Sequence, residues 1–193
     1  KERYFVQRTA IWIYEDYGRK EMIHLYYGEG KGKTTCAVGL SLRMAGHGRR
    51  VLFLQFLKDG TSGEIQMLGR LEEVCVICDP QHQKFLFQMN DEEKQGLRGR
   101  LEEILRQGIR ELKDRDYSLL VLDEVTYPYG ARILEKRLLE KLVNLAREQG
   151  CEVCFTGREP DAWFMDQADY ITCFKAQRHP YERGITAREG IEF

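Results

Sequence analysis

No charge of one sign dominates this sequence: 30 Lys and Arg stand against 31 Asp and Glu in 193 residues, a formal net charge of −1. That balance removes the bulk electrostatic reason to expect a nucleic-acid partner. Long apolar runs are missing as well, and none is long enough to span a bilayer. There is no charged-then-apolar leader ending in a small-residue cleavage site. A cytoplasmic protein with neither nucleic acid nor membrane as partner is expected. Repeats, low-complexity tracts and an interdomain linker are also missing, so the length suits one domain with a substantial core. Cysteine is modest at six, and four of these form two CxxC pairs, Cys75–Cys78 and Cys151–Cys154. Both pairs lie in strand-like apolar segments, where residues three apart point to opposite faces, so buried thiols are favoured over a metal site.

What the chain does have is a run that breaks into glycines. Met22 to Tyr27 reads as a strand, Gly28-Glu29-Gly30-Lys31-Gly32-Lys33-Thr34-Thr35 as a loop, and Lys33 to Ala45 as a helix stopped by Gly46-His47-Gly48. A glycine-rich turn lets successive backbone N–H groups converge on an anion, and the helix N-terminus adds its positive end. Lys33 and Thr34 stand where a phosphate loop supplies a neutralising ammonium and a metal-ligating hydroxyl. The usual leading glycine position is occupied by Tyr27, so the loop is one residue short at its start. A solvent-facing lysine on a plain turn is the competing reading, and the strand before and helix after weigh against it.

Alternation continues along the chain. Val51 to Leu57 is apolar except for Gln55, as expected for a strand covered on both faces. A short helix near Glu64–Leu71 and a strand over Val74–Cys78 follow. Asp91-Glu92-Glu93 opens a long helix with Leu97, Leu101, Ile104, Leu105, Ile109 and Leu112 at helical spacing. Tyr117 to Glu124 is an apolar strand ending in two carboxylates, Asp123 and Glu124, the pattern that brings an acid beside the metal of a phosphate loop. After Tyr127-Pro128-Tyr129-Gly130, read as a break, come a helix over Leu134–Glu148, a strand over Cys151–Thr156, a short helix over Pro160–Gln167 and a strand over Asp169–Phe174. The fold class is therefore α/β, a single-domain P-loop NTPase-like (RecA-like) mainly parallel sheet covered by helices on both faces, with ligands at the carboxyl ends of the strands.

Two segments leave alternatives open. Phe85 and Phe87 lie on a loop, where two aromatics either anchor it to the core or line a site for a flat apolar ligand. Residues 1–20 are either an N-terminal arm or extension outside the fold, or a segment whose Tyr4, Phe5 and Trp12 cover a ligand. The domain proper is placed at residues 21–193.

Taken together, these blocks resemble the P-loop type of ATP:corrinoid adenosyltransferase from about residue 22 to 193. The likeness rests on Gly28 to Thr35, Arg43 with Gly46-His47-Gly48, Val51 to Lys58, Val121 to Glu124, Thr156-Gly157-Arg158, His179-Pro180-Tyr181 and the closing Gly190 to Phe193. The short loop is itself a feature of that family. The resemblance implies transfer of the 5′-deoxyadenosyl group of ATP to Co(I) of a corrinoid, with ATP held in the reverse sense and triphosphate leaving. It implies Gly28, Glu29, Gly30, Lys31, Gly32, Lys33, Thr34, Thr35, Arg43, Gln55, Lys58 and Arg158 at the nucleotide, and Thr34 and Glu124 at Mg²⁺. Lys33, Phe85 and Phe87 would act in catalysis, the two aromatics by keeping an axial ligand off cobalt. A flavoprotein or other low-potential electron donor and a homodimer are further implications. Other P-loop chemistry, a kinase or ligase, or a nucleotide-dependent switch or translocase of the recombinase type, is the alternative.

Overall fold

A computed structural model describes residues 21–81, 84 and 86–192 of the chain. Six strands form one sheet: β1 (Ile23–Tyr27), β2 (Val51–Gln55), β3 (Val74–Cys78), β4 (Leu119–Asp123), β5 (Glu152–Gly157) and β6 (Tyr170–Cys173). Their order is β3-β2-β4-β5-β1-β6, and every pairing is parallel. The α/β, P-loop NTPase-like fold expected from the sequence is present.

The strands alternate faces with period two, which splits the core into two layers. Leu52, Leu54, Leu120, Leu122, Val153 and Phe155 face α3 (Asp91–Asp114) and α5 (Lys136–Glu148), whose Leu101, Leu105, Leu139 and Leu142 are fully buried. Val51, Phe53, Leu119, Val121 and Cys154 form the opposite layer with α1 (Lys33–Ala45) and α2 (Gly63–Leu68). Covering on both faces explains why β2 and β4 read as unbroken apolar runs. Cys151 and Cys154 fall into different layers, as their spacing on a strand requires.

Three differences from the sequence reading have physical causes. Thr126–Gly130 forms a short helix, α4, although its proline and glycine read as a break. Pro128 sits in the first turn, where a missing N–H costs nothing, and Tyr129 is buried against Trp163 and Phe164 of α6 (Ala162–Gln167). The acid-bearing strand is shorter than expected and stops at Asp123, because Glu124 turns into a left-handed conformation with φ 59°. Finally, β6 is exposed along its whole length, so no helix among the described residues covers the sheet at that edge. Residues 1–20, including Tyr4, Phe5 and Trp12, lie outside the described residues. The same is true of Phe85; Phe87 belongs to a 3₁₀ turn, Leu86–Gln88, and only its backbone is described.

Candidate nucleotide-binding site

Because all six strands run the same way, their carboxyl ends share one edge of the sheet. Onto that edge come the loop after β1, Gln55 at the end of β2 with Lys58 beyond it, Asp123 at the end of β4 with Glu124 beyond it, and Thr156 and Gly157 at the end of β5 with Arg158 beyond them.

The loop is shaped by its neighbours before any ligand enters. The Gly28 N–H donates to the carbonyls of Gly157 (3.2 Å) and Arg158 (3.1 Å), and the Gly30 N–H donates to the Phe174 carbonyl at 2.7 Å. Gly28 has φ +114°, and a Cβ there would lie 2.5 Å from the Phe174 carbonyl oxygen. Only glycine satisfies both conditions. The α1 helix then begins at Lys33 with no acidic residue in its first turn, so its N–H groups and dipole face the cleft unopposed.

Asp123 is the centre of the polar network. It is fully buried, and its Oδ1 accepts from the hydroxyls of Thr34 (2.8 Å) and Thr156 (2.7 Å). Its Oδ2 accepts from Gln55 Nε2 (3.1 Å) and Lys58 Nζ (3.1 Å). Gln55 and Asp123 are register partners on β2 and β4, which places the amide against the carboxylate. Lys58 Nζ also donates to Thr34 Oγ1 at 3.3 Å. Thr156, on the strand between β1 and β4, accepts the Glu124 N–H at 2.9 Å and so ties the two acids to the loop side. Lys33 donates to the Gly30 carbonyl at 3.0 Å.

Charge and burial work against one another at this edge. Burial lowers the Lys33 ammonium below its ordinary pKa against the pull of Glu124. Burial also disfavours charge on Lys58, but Asp123 and Glu124 outweigh it and hold that ammonium above its ordinary pKa. Burial, with the neighbouring Asp123 charge, raises the Glu124 carboxyl. A cation beside Glu124 would relieve that cost, and the hard oxygens of Glu124 and Thr34 suit Mg²⁺. Among the described residues no group of three or more His, Cys, Asp or Glu side chains could hold a metal by themselves. Such a donor set fits a metal that brings phosphate oxygens with it.

These residues border a cleft of about 470 Å³ lined by Lys31, Lys33, Thr34, Thr35, Lys58 and Glu124, with Glu64 and Met67 of α2 on one wall. Glu29 points outward and pairs with Arg158 at 3.3 Å. Lys31 holds the tail, bonding the Ile191 carbonyl and Glu192. Gln55 is buried beneath the cleft, reaching it only through Asp123. Arg43 is exposed in the last turn of α1, about 15 Å along the helix from Lys33, and does not join the cleft. Sequence reasoning assigned no role to Thr156, Glu64 or the Gly190–Glu192 wall. Thr156 entered that reading only as part of the Thr156-Gly157-Arg158 block of the likeness.

The family model for ATP:corrinoid adenosyltransferases, BtuR/CobO/CobP, matches residues 19–193. The chain belongs to this family. It is 30% identical over 171 residues to a corrinoid adenosyltransferase of Pseudomonas aeruginosa, covering 88% of this chain and 82% of the relative. With the corrinoid adenosyltransferase of Escherichia coli K12 it shares 28% identity over 181 residues, 89% of this chain and 85% of the relative. Corrinoid adenosyltransferase CobA of Salmonella typhimurium is 29% identical over 179 residues, with the same coverage of each chain. Family membership makes the chain a transferase with ATP and a corrinoid as substrates. No helix among the described residues is long and apolar enough to cross a membrane.

Proposed function

We propose that the Gly28–Thr35 loop holds ATP by its triphosphate, with C5′ directed outward to a corrinoid whose Co(I) attacks it. The new bond is Co–C5′, the bond broken is C5′–O, and triphosphate departs with the electron pair. The observation that supports this reading is the gathering of Lys33, Lys58 and the α1 N-terminus at one cleft, an arrangement suited to a highly charged leaving group. Mg²⁺ bound at Thr34 and Glu124 would add further neutralisation of that group. Asp123 orients the Thr34 hydroxyl, while Arg158, paired with Glu29 of the loop, would exchange that partner for phosphate. Arg43, Phe85 and Phe87 enter this proposal on the family resemblance alone. The same holds for a flavoprotein or similar low-potential donor, a homodimer and a cytoplasmic setting.

Incubation with ATP, Mg²⁺ and chemically reduced cobalamin tests the reaction. Intact triphosphate and a light-sensitive Co–C product are expected in equal amounts. Orthophosphate or diphosphate without that product would overturn it in favour of phosphoryl transfer.

A further inference from the structure

Lys58 occupies an unusual place. Its ammonium contacts Thr34 Oγ1, the hydroxyl on which the metal reading rests, at 3.3 Å, and Asp123 Oδ2, the carboxylate beside Glu124, at 3.1 Å. The backbone is held in an uncommon conformation to put it there. Leu57, immediately before Lys58, has φ 53°, and Glu124 on the adjacent strand has φ 59°. Positive φ is costly for a leucine, and such residues persist where the surrounding structure enforces them, often at functional sites. Two adjacent strand ends are therefore bent to present an ammonium and a carboxylate to one cleft.

An ammonium and a dication cannot share one hydroxyl without strong repulsion. Lys58 has a long flexible stem and lines the same cleft as Lys33 and Thr35, so a phosphate there is within its compass. We propose that Lys58 is an internal cation that competes with a divalent metal for the Thr34 hydroxyl, so that the metal binds only together with a triphosphate, which accepts the displaced ammonium. The inference rests on the metal assignment at Thr34 and Glu124. It makes Lys58 a positioning residue that enforces entry of metal and nucleotide as a pair.

Mn²⁺ binding followed by electron paramagnetic resonance tests this without catalysis. Wild-type protein with Mn²⁺ alone should leave the free-ion signal unchanged, and wild-type protein with ATP should give a protein-bound Mn²⁺ spectrum distinct from that of Mn²⁺ with ATP in the absence of protein. Lys58→Met should bind Mn²⁺ without nucleotide at least tenfold more tightly than wild type, and adding Thr34→Val should abolish that gain. Lys58→Arg, which keeps a cation in place, should behave as wild type. Lys58→Gln replaces the methionine variant if the latter does not fold by circular dichroism. Failure of both neutral variants to gain Mn²⁺ affinity, while wild type binds Mn²⁺ with ATP, overturns the role of Lys58 alone. Absence of bound Mn²⁺ in wild type even with ATP overturns the metal site itself, and the inference with it.

Discussion

Thr34 and Asp123, 89 residues apart, are joined by a 2.8 Å hydrogen bond that links the phosphate loop to the acid strand across the intervening β5. Thr34→Val removes that donor and the hydroxyl facing the cleft. A hydrogen bond to a charged group contributes about 1.5–3 kcal/mol, so affinity for ATP with Mg²⁺ should fall roughly 10- to 150-fold. Titration calorimetry without corrinoid measures this; unchanged affinity would remove Thr34 from the site.

Asp123→Ala should act on stability as well as binding. It leaves Lys58 without its closest carboxylate and two hydroxyls without an acceptor. Breaking a buried pair costs about 3–5 kcal/mol, and the partial exposure of Lys58 argues for about 3. For a chain of this size that lowers Tm by about 6–12 °C in a thermal melt. A variant as stable as wild type would show that the network is not held by Asp123.

Gly157 touches the core where α4 begins. A Cβ there would lie 1.9 Å from Thr126 Oγ1, an atom that is buried and has no hydrogen-bond partner. Gly157→Ala should cost about 1–3 kcal/mol by overpacking. Thr126→Ala in the same chain should restore part of it, and purely additive losses in a double-mutant cycle would refute the contact.

The tail responds to pH through Glu192. Its carboxyl is pulled down to about 2, chiefly by the Arg188 side chain, then by the Arg188 backbone N–H, with Lys31 adding to it. A depressed folded-state pKa means that the contact is complete above the ordinary carboxylate value and is lost as pH falls toward about 2. Glu192→Gln mimics the acid form at neutral pH. Trypsin cleavage after Arg188 should then accelerate, whereas equal cleavage rates would show that Glu192 does not hold the tail to Lys31.

Phe85→Ala and Phe87→Ala should mainly impair the route that starts from Co(II), leaving preformed Co(I) a competent substrate. Parallel assays from both oxidation states decide it, and equal losses would refute an axial-ligand role.

Much of the site was legible because its parts obey local rules. Gly28 to Thr35 announces itself through backbone requirements, and Val121 to Glu124 through an apolar run ending in acids. The Asp123 network was not legible, since Gln55 and Lys58 reach it from the end of β2 and Thr156 from β5, and only the order β2-β4-β5 brings them together. The left-handed turns at Leu57 and Glu124 left no trace either, because neither residue is a glycine. Α4 was hidden for a related reason: Pro128 and Gly130 carry a break signal locally, and the buried Tyr129 overrides it through contacts with α6.

The N–H groups of Gly28 and Gly30 are committed to the ends of β5 and β6. The entry to the loop is thus fastened at two points to the ends of neighbouring strands, and its helical half, from Gly32 onward, is presented to an anion. The conformational entropy of shaping the receptor is expended when the sheet forms, not when the nucleotide arrives. A grip prepared in this way has little freedom to follow its cargo, so distortion at the far end of the nucleotide must be accommodated by the nucleotide itself.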